Sequence, residues 1–336
     1  MSKLALAALL MLTGGFLRAQ QHAVILIYHH VDATTPASTS VTPERFDRHL
    51  EILESGGFNV IGLEQIFSAI RNGKDLPEKA IAITFDDAYE SVYRTAWPKL
   101  EQRKWPFSVF VSTESIDLGH KPYMNWAELK SMARSGVEIG NHGHKHDYAL
   151  QAQPGESDHQ RLQRFRANIE KAQALIIEHI GVTPTVYAYP YGEYDAASEA
   201  VVASLEFNAV GQQSGVYYAG DRSTSAPRFP IATGYDSDDA FRLRINALPL
   251  PLSLIDPVRV VTVGSQPDLR FRLTANTGPL SCFVNGQAAT VERSDDGVVS
   301  VPTPMALKPG RSKTTCTAQH SPGVSRWYSH LWVVQD

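Results

Sequence analysis

From residue 23 to about residue 250, short apolar runs alternate with segments whose apolar residues recur every three or four positions. Ala23-Val24-Ile25-Leu26-Ile27 and Ala80-Ile81-Ala82-Ile83 are unbroken apolar runs of strand length, and further strand-like runs fall at 80–85, 107–112, 137–140, 185–189 and 207–211. Between them, Thr42-Pro43 reads as a helix N-cap followed by Pro at the first helical position, with Phe46, Leu50 and Leu53 leading to Gly56-Gly57. Asn125 with Glu128 forms a capping-box signature ahead of Leu129 and Met132. A longer helix is expected from about Asp158 through Leu162, Phe165, Ile169 and Leu175 to Ile180-Gly181. Alternating strands and helices predict an α/β fold with a parallel sheet.

The rhythm breaks at the Pro-rich stretch Leu248-Pro249-Leu250-Pro251 through Asp256-Pro257. Residues 251–257 read as a linker between a first domain, 20–250, and a second, 258–336. The second part carries short alternating runs at Val258 to Val263, Leu269 to Leu273 and Arg326 to Val334, set apart by Asn285-Gly286, Asp296-Gly297 and Pro309-Gly310. Regular short strands with Gly turns predict a small, immunoglobulin-like β-sandwich. Within it, Trp327, Tyr328 and Trp332 either fill the core or form a strip for stacking on sugar rings.

At the other end, Met1-Ser2-Lys3, the apolar Leu4 to Leu12 and then Leu17-Arg18-Ala19 have the layout of a secretory signal peptide over 1–19. Its apolar part is short for a bilayer span, so a periplasmic or secreted protein without a membrane span after cleavage is expected, the alternative being an uncleaved anchor. In an oxidising compartment the two cysteines, Cys282 and Cys316, are expected to pair; otherwise they are buried free thiols.

The 336 residues are 43% apolar, ample for a sizeable core, and carry a formal net charge of -4 with no basic block. That balance argues against nucleic acid or an anionic membrane as partner and leaves neutral or cationic sugar polymers compatible. A monomer is expected.

Two polar clusters follow strand-like runs. Thr84-Phe85-Asp86-Asp87 follows 80–83, and Asn141-His142-Gly143-His144-Lys145-His146 follows Val137-Glu138-Ile139-Gly140. One Asp and two His can hold a divalent metal with a coordination position left open for water, the catalytic kind of site. Such an ion lowers the pKa of its water and polarises a carbonyl. Neighbouring strand residues point to opposite faces, but where a strand bends into a loop both carboxylates can enter one cavity. Taken singly, the Asp pair suits a turn and the histidines suit a surface; together they favour a metal site.

These clusters, with Tyr189-Pro190-Tyr191-Gly192 after them, resemble the motifs of the polysaccharide deacetylase family, carbohydrate esterase family four. Ile27-Tyr28-His29-His30-Val31 and Thr42-Pro43-Glu44-Arg45-Phe46 resemble the branch acting on poly-N-acetylglucosamine. The resemblance covers roughly residues 23 to 250. It implies a distorted, incomplete (β/α) barrel, with Asp86 as general base and Asp87, His142 and His146 as metal ligands. His144 becomes a neighbour, not a ligand. It further implies Zn2+ as the metal, with Co2+, Ni2+ or Mn2+ as alternatives. Tyr191 would offer its backbone N–H to an oxyanion, with Tyr189 and Pro190 beside it as substrate contacts.

Three departures stand out. Ala188 occupies the place of an Arg that commonly braces the base, so Asp86 needs another orienting partner. Gly143 and Asp147 replace residues usual in the histidine motif, changes expected to loosen that loop without removing a ligand. Ile245-Asn246-Ala247-Leu248-Pro249 lacks the His that often serves as general acid. A barrel gathers catalytic groups at the carboxyl ends of its strands, where 23–27 would deliver His29 and His30, both candidates for that acid. The expected activity is metal-dependent hydrolysis of N-acetyl groups from an N-acetylglucosamine polysaccharide. The rivals are an O-acetyl esterase and a carbohydrate-binding protein on a degenerate scaffold.

Overall fold

The computed structural model describes residues 21–335; the expected signal peptide, 1–19, lies outside them. Six strands, β1 (His22–Tyr28), β2 (Ala80–Phe85), β3 (Ser108–Val111), β4 (Glu138–Asn141), β5 (Val186–Ala188) and β6 (Asn208–Val210), are hydrogen-bonded side by side in chain order. Every neighbouring pair is parallel. Beyond β1 the sheet continues through Phe229–Pro230, parallel, and Tyr217–Tyr218, antiparallel, so it curls into an incomplete barrel.

The unbroken apolar runs have a physical reason: both faces of the sheet are covered. Val24, Leu26, Ile81, Ile83 and Phe85 join one core cluster, while Ala23, Ile25 and Ala82 join another on the opposite face. Two helices begin where their caps predict. Thr42 Oγ1 accepts from the Arg45 N–H at 3.2 Å at the head of α1 (Pro43–Ser55), and Asn125 with Glu128 closes a full capping box on α2 (Trp126–Arg134). The long helix α3 (Asp158–Ile180) is boxed by Ser157 and Gln160 and ends at Gly181 in the left-handed conformation. It buries Phe165, Ile169, Ala172, Ile176 and Ile180, leaving Leu162 and Leu175 half-buried at the edge of the stripe.

The C-terminal part is two packed sheets. One contains β7 (Asp268–Leu273) and β9 (Val298–Pro302); the other contains β8 (Ser281–Val284), β10 (Gly310–Ser321) and β11 (Val324–Gln335). Leu269, Phe271, Val299 and Val301 from the first meet Val284, Ala318, Trp332 and Val334 from the second in one core. Trp332 is thereby a core residue, its indole N–H donating to Thr314 Oγ1 at 2.9 Å. Trp327 instead packs edge-on against Phe229 of the barrel, centroids 5.3 Å apart.

The Pro-rich stretch is no free tether. Leu248–Pro249 pairs with β11 and Leu252–Leu254 pairs with β7. The prolines mask a period of two, Leu248, Leu250, Leu252 and Leu254, which sends Leu250 and its successors toward the sandwich core. Among the described residues no helix is long and apolar enough to cross a membrane.

Cys282 and Cys316 are bonded to each other across directly paired positions of β8 and β10. The bond closes a loop of 34 positions. Replacing both cysteines with alanine is expected to cost about 3–4 kcal/mol on the chain-entropy account. A lowered urea midpoint for the variant checks it; an unchanged midpoint would show that the bridge does little for the sandwich.

Candidate active site

The parallel register brings the residues following β1, β2, β4 and β5 to one rim, because Tyr28 pairs with Phe85 and Val111 with Asn141, which in turn pairs with Tyr187. Asp86 and Asp87 leave β2, His142 to His146 leave β4, Tyr189 to Gly192 leave β5, and His29 leaves β1.

Asp86 is fully buried. Its N–H donates to Tyr28 O at 3.0 Å, which ties the bend after β2 to β1. Its carboxylate is gripped by Arg228, Nη1 to Oδ1 and Nη2 to Oδ2, both 2.7 Å. Arg228 is itself fully buried: Nε donates to Gly211 O at 2.8 Å, Nη1 to Thr84 Oγ1 at 3.1 Å, and the guanidinium lies over the Phe110 ring. Burial works against ionisation of Asp86, but Arg228 and then His142 outweigh it and hold the carboxyl below the usual carboxylate range. Arg228 is thus the partner that Ala188 does not provide. Its one sequence signal is a lone cation within Pro227-Arg228-Phe229-Pro230, a segment otherwise suited to burial.

Asp87 Oδ1 lies 3.3 Å from His142 Nε2 and 3.2 Å from His146 Nε2. One ligand atom from each of these three residues falls within 4.8 Å of the others. His142 Nδ1 lies 2.7 Å from the Ala188 carbonyl, which can only accept, so the proton sits on Nδ1 and Nε2 presents its lone pair. That buried Nε2 has no hydrogen-bond partner, as a metal-ligating nitrogen requires. The residues therefore fit a divalent ion.

His144 is placed apart, its Nδ1 2.8 Å from Thr113 Oγ1. Gly143, expected to loosen the loop, does the opposite: at φ +77 it admits Asn168, whose amide nitrogen would sit 2.6 Å from a Cβ there. Asn168 Oδ1 accepts from the N–H groups of His144 and Lys145 at 3.1 and 2.9 Å, pinning the loop to α3.

Three of the gathered residues are not glycine yet have left-handed backbones: Asp87 at φ 71, His146 at φ 54 and Tyr191 at φ 60. Each costs roughly 1–3 kcal/mol, and such strain concentrates at functional sites. The Tyr191 ring meets His146 edge-on at 4.5 Å and stacks on Tyr148 at 3.9 Å. Its turn is closed by Gly192 N–H to Tyr189 O and Glu193 N–H to Pro190 O, leaving the Tyr191 N–H outside both bonds. Tyr189 and Pro190, expected as substrate contacts, are buried beneath it; the Tyr189 hydroxyl donates to Thr224 O at 3.0 Å. Tyr189 packs among Phe165 and Ile169 of α3 and Leu331 and Val333 of the sandwich, so its side chain supports the turn from beneath.

Burial lowers the proton affinity of both histidines after β1, and the charge of Asp87 opposes that in each, with Asp86 adding to it for His29. His30 also stacks on Tyr89 at 3.5 Å.

Residues 73–210 match the family model described as polysaccharide deacetylase. The chain is 28% identical over 207 residues to the poly-beta-1,6-N-acetyl-D-glucosamine N-deacetylase of Escherichia coli K12, covering 51% of this chain and 30% of that protein. It therefore spans about a third of that relative's length. The solved BpsB deacetylase domain from Bordetella bronchiseptica is 26% identical, with a TM-score of 0.56, covering 63% of this chain and 96% of that one. IcaB from Ammonifex degensii shares the fold, with a TM-score of 0.58 at 24% identity over 66% of this chain and 97% of that one.

Proposed function

We propose, from the premise that this chain belongs to the polysaccharide deacetylases, that it hydrolyses N-acetyl groups of an N-acetylglucosamine-containing polysaccharide and releases acetate. The observation that carries the reading is the pairing of two adjacent carboxylates with different partners. Asp86 is held by Arg228, while Asp87 faces His142 and His146.

Asp87, His142 and His146 would hold the metal; two imidazoles and a carboxylate suit Zn2+. When bound, the ion supplies Lewis-acid polarisation of the amide carbonyl and a more acidic water. Asp86 then takes a proton from the attacking water, its ionised form maintained by Arg228. The water oxygen bonds to the carbonyl carbon, and the Tyr191 N–H donates to the oxygen that gains charge. His29 gives a proton to the departing nitrogen as the carbon–nitrogen bond breaks, leaving acetate and a glucosamine unit.

A binding protein on a degenerate scaffold rests on two departures, the absent Arg and the absent final His; Arg228 answers the first, and acetate release would answer the second. The similarity to the E. coli relative supports a poly-N-acetylglucosamine substrate. The disulfide supports an oxidising compartment, hence export to the periplasm or beyond.

The test is acetate release from N-acetylglucosamine oligomers differing in linkage, with O-acetylated sugars alongside. Release from amides that falls to background on chelation and returns with Zn2+ is the expected outcome. Release from esters alone would replace the reading with an O-acetyl esterase.

A further inference from the structure

Strand β10 of the sandwich reaches the catalytic turn. Its residues alternate: Ser312 and Thr314 are buried toward β11 and the sandwich, while Arg311 and Lys313 project from the other face. Arg311 Nη1 donates to the Tyr191 carbonyl at 2.7 Å, and its guanidinium lies 5.5 Å from the centre of the Tyr191 ring. Arg311 Nε is 3.7 Å from Glu193 Oε1, a carboxylate that is 3% exposed. Lys313 Nζ donates to Gln212 O at 3.2 Å. Gln212 in turn presses on the turn: a Cβ on Gly192 would sit 2.6 Å from that of Gln212. Tyr191, Gln212, Arg311, Lys313 and Leu331 wall a cavity of about 360 Å³ beside the rim.

Tyr191 adopts φ 60, ψ 0, a conformation that a non-glycine residue keeps only when its surroundings fix it. Its N–H and its carbonyl belong to peptide planes on either side of one Cα. The preceding plane is held at its carbonyl, where Pro190 O accepts from the Glu193 N–H at 3.3 Å. The following plane is held by Arg311, through a charge-assisted bond of the strong kind. With both planes fixed, the direction of the N–H is fixed too.

We propose that Arg311 is a positioning residue for this active site: from the sandwich it locks the Tyr191 peptide, making the C-terminal domain part of the catalytic apparatus. The inference rests on the deacetylase reading for its chemistry and on the backbone geometry for its structure, so the test reads the two separately.

The full-length protein, labelled with 15N-tyrosine, gives a backbone amide signal for Tyr191 that can be followed whether or not acetate is released. In Arg311→Met that signal is expected to shift or broaden, while kcat falls about 10–100-fold, as misplacing a preorganised donor does. KM should stay within about twofold, because no substrate contact is removed. Arg311→Lys, which retains a charged donor, should recover part of kcat and keeps the test valid if the Met variant folds poorly. An unmoved Tyr191 amide in both variants overturns the proposal, as does an effect carried by KM alone. A moved amide with a wild type that releases no acetate would sink the deacetylase reading and leave the hold of Arg311 on the turn standing.

Discussion

Replacing Asp86 with Asn is expected to lower kcat by roughly 10²–10⁴-fold, the range for losing a general base. The amide keeps the shape of the carboxylate but cannot take a proton from water. It also disturbs Arg228. The wild-type carboxylate offers one oxygen to each guanidinium nitrogen, at 2.7 Å and 2.7 Å; an amide offers one oxygen and one NH2, so one donor meets a donor. Two readouts separate these effects. If Asp86 is the base, the loss falls on kcat while bound Zn2+ per chain stays unchanged, because Asp87, His142 and His146 remain. Turnover within tenfold of wild type, with metal retained, would rule Asp86 out as the base.

The same contrast explains what was legible in the sequence. Asp86, Asp87, His142 and His146 could be found because each cluster directly follows an apolar run, and a parallel sheet delivers such ends to one rim. The helix starts at Pro43 and Trp126 were legible because caps are local chemistry, settled within a few residues, and the long helix from Asp158 was legible from its apolar spacing. Arg228 was not, since 142 positions separate it from Asp86 and no periodicity reports a partner that distant. Arg311 lies 120 positions from Tyr191, and its approach depends on how the sandwich docks. Gly143 misled for a related reason: its flexibility in the chain is cancelled by Asn168, supplied from the far side of the loop. The prolines of 249–251 likewise concealed a leucine period that only pairing with β7 and β11 brings out.

Removing Arg228 should be costlier to the fold than removing the base. Arg228→Met leaves the Asp86 carboxylate buried without its cation, and the Gly211 carbonyl and Thr84 hydroxyl lose a donor. Breaking a buried pair from one side typically costs 3–5 kcal/mol, and the penalty should depend on pH. In the wild type the folded pKa of Asp86 is depressed, so its stabilising contribution is present above the unfolded carboxylate value of about 4 and is lost as pH falls through the folded pKa. Without Arg228, burial, the largest single influence, is opposed only by His142 and His29, and the carboxyl is expected to move upward. Its contribution is then full at low pH and lost as pH rises through the new, raised pKa. Urea midpoints should accordingly show Arg228→Met to be more destabilised at pH 8 than at pH 5. The acid limb of kcat/KM should move to higher pH, because the base must be ionised to act. Adding Asp86→Asn to Arg228→Met removes the stranded charge and should restore much of the stability at pH 8 while restoring no activity. A double variant as unstable as the single one at both pH values would mean that Arg228 serves packing and its other hydrogen bonds, not the ionisation of Asp86.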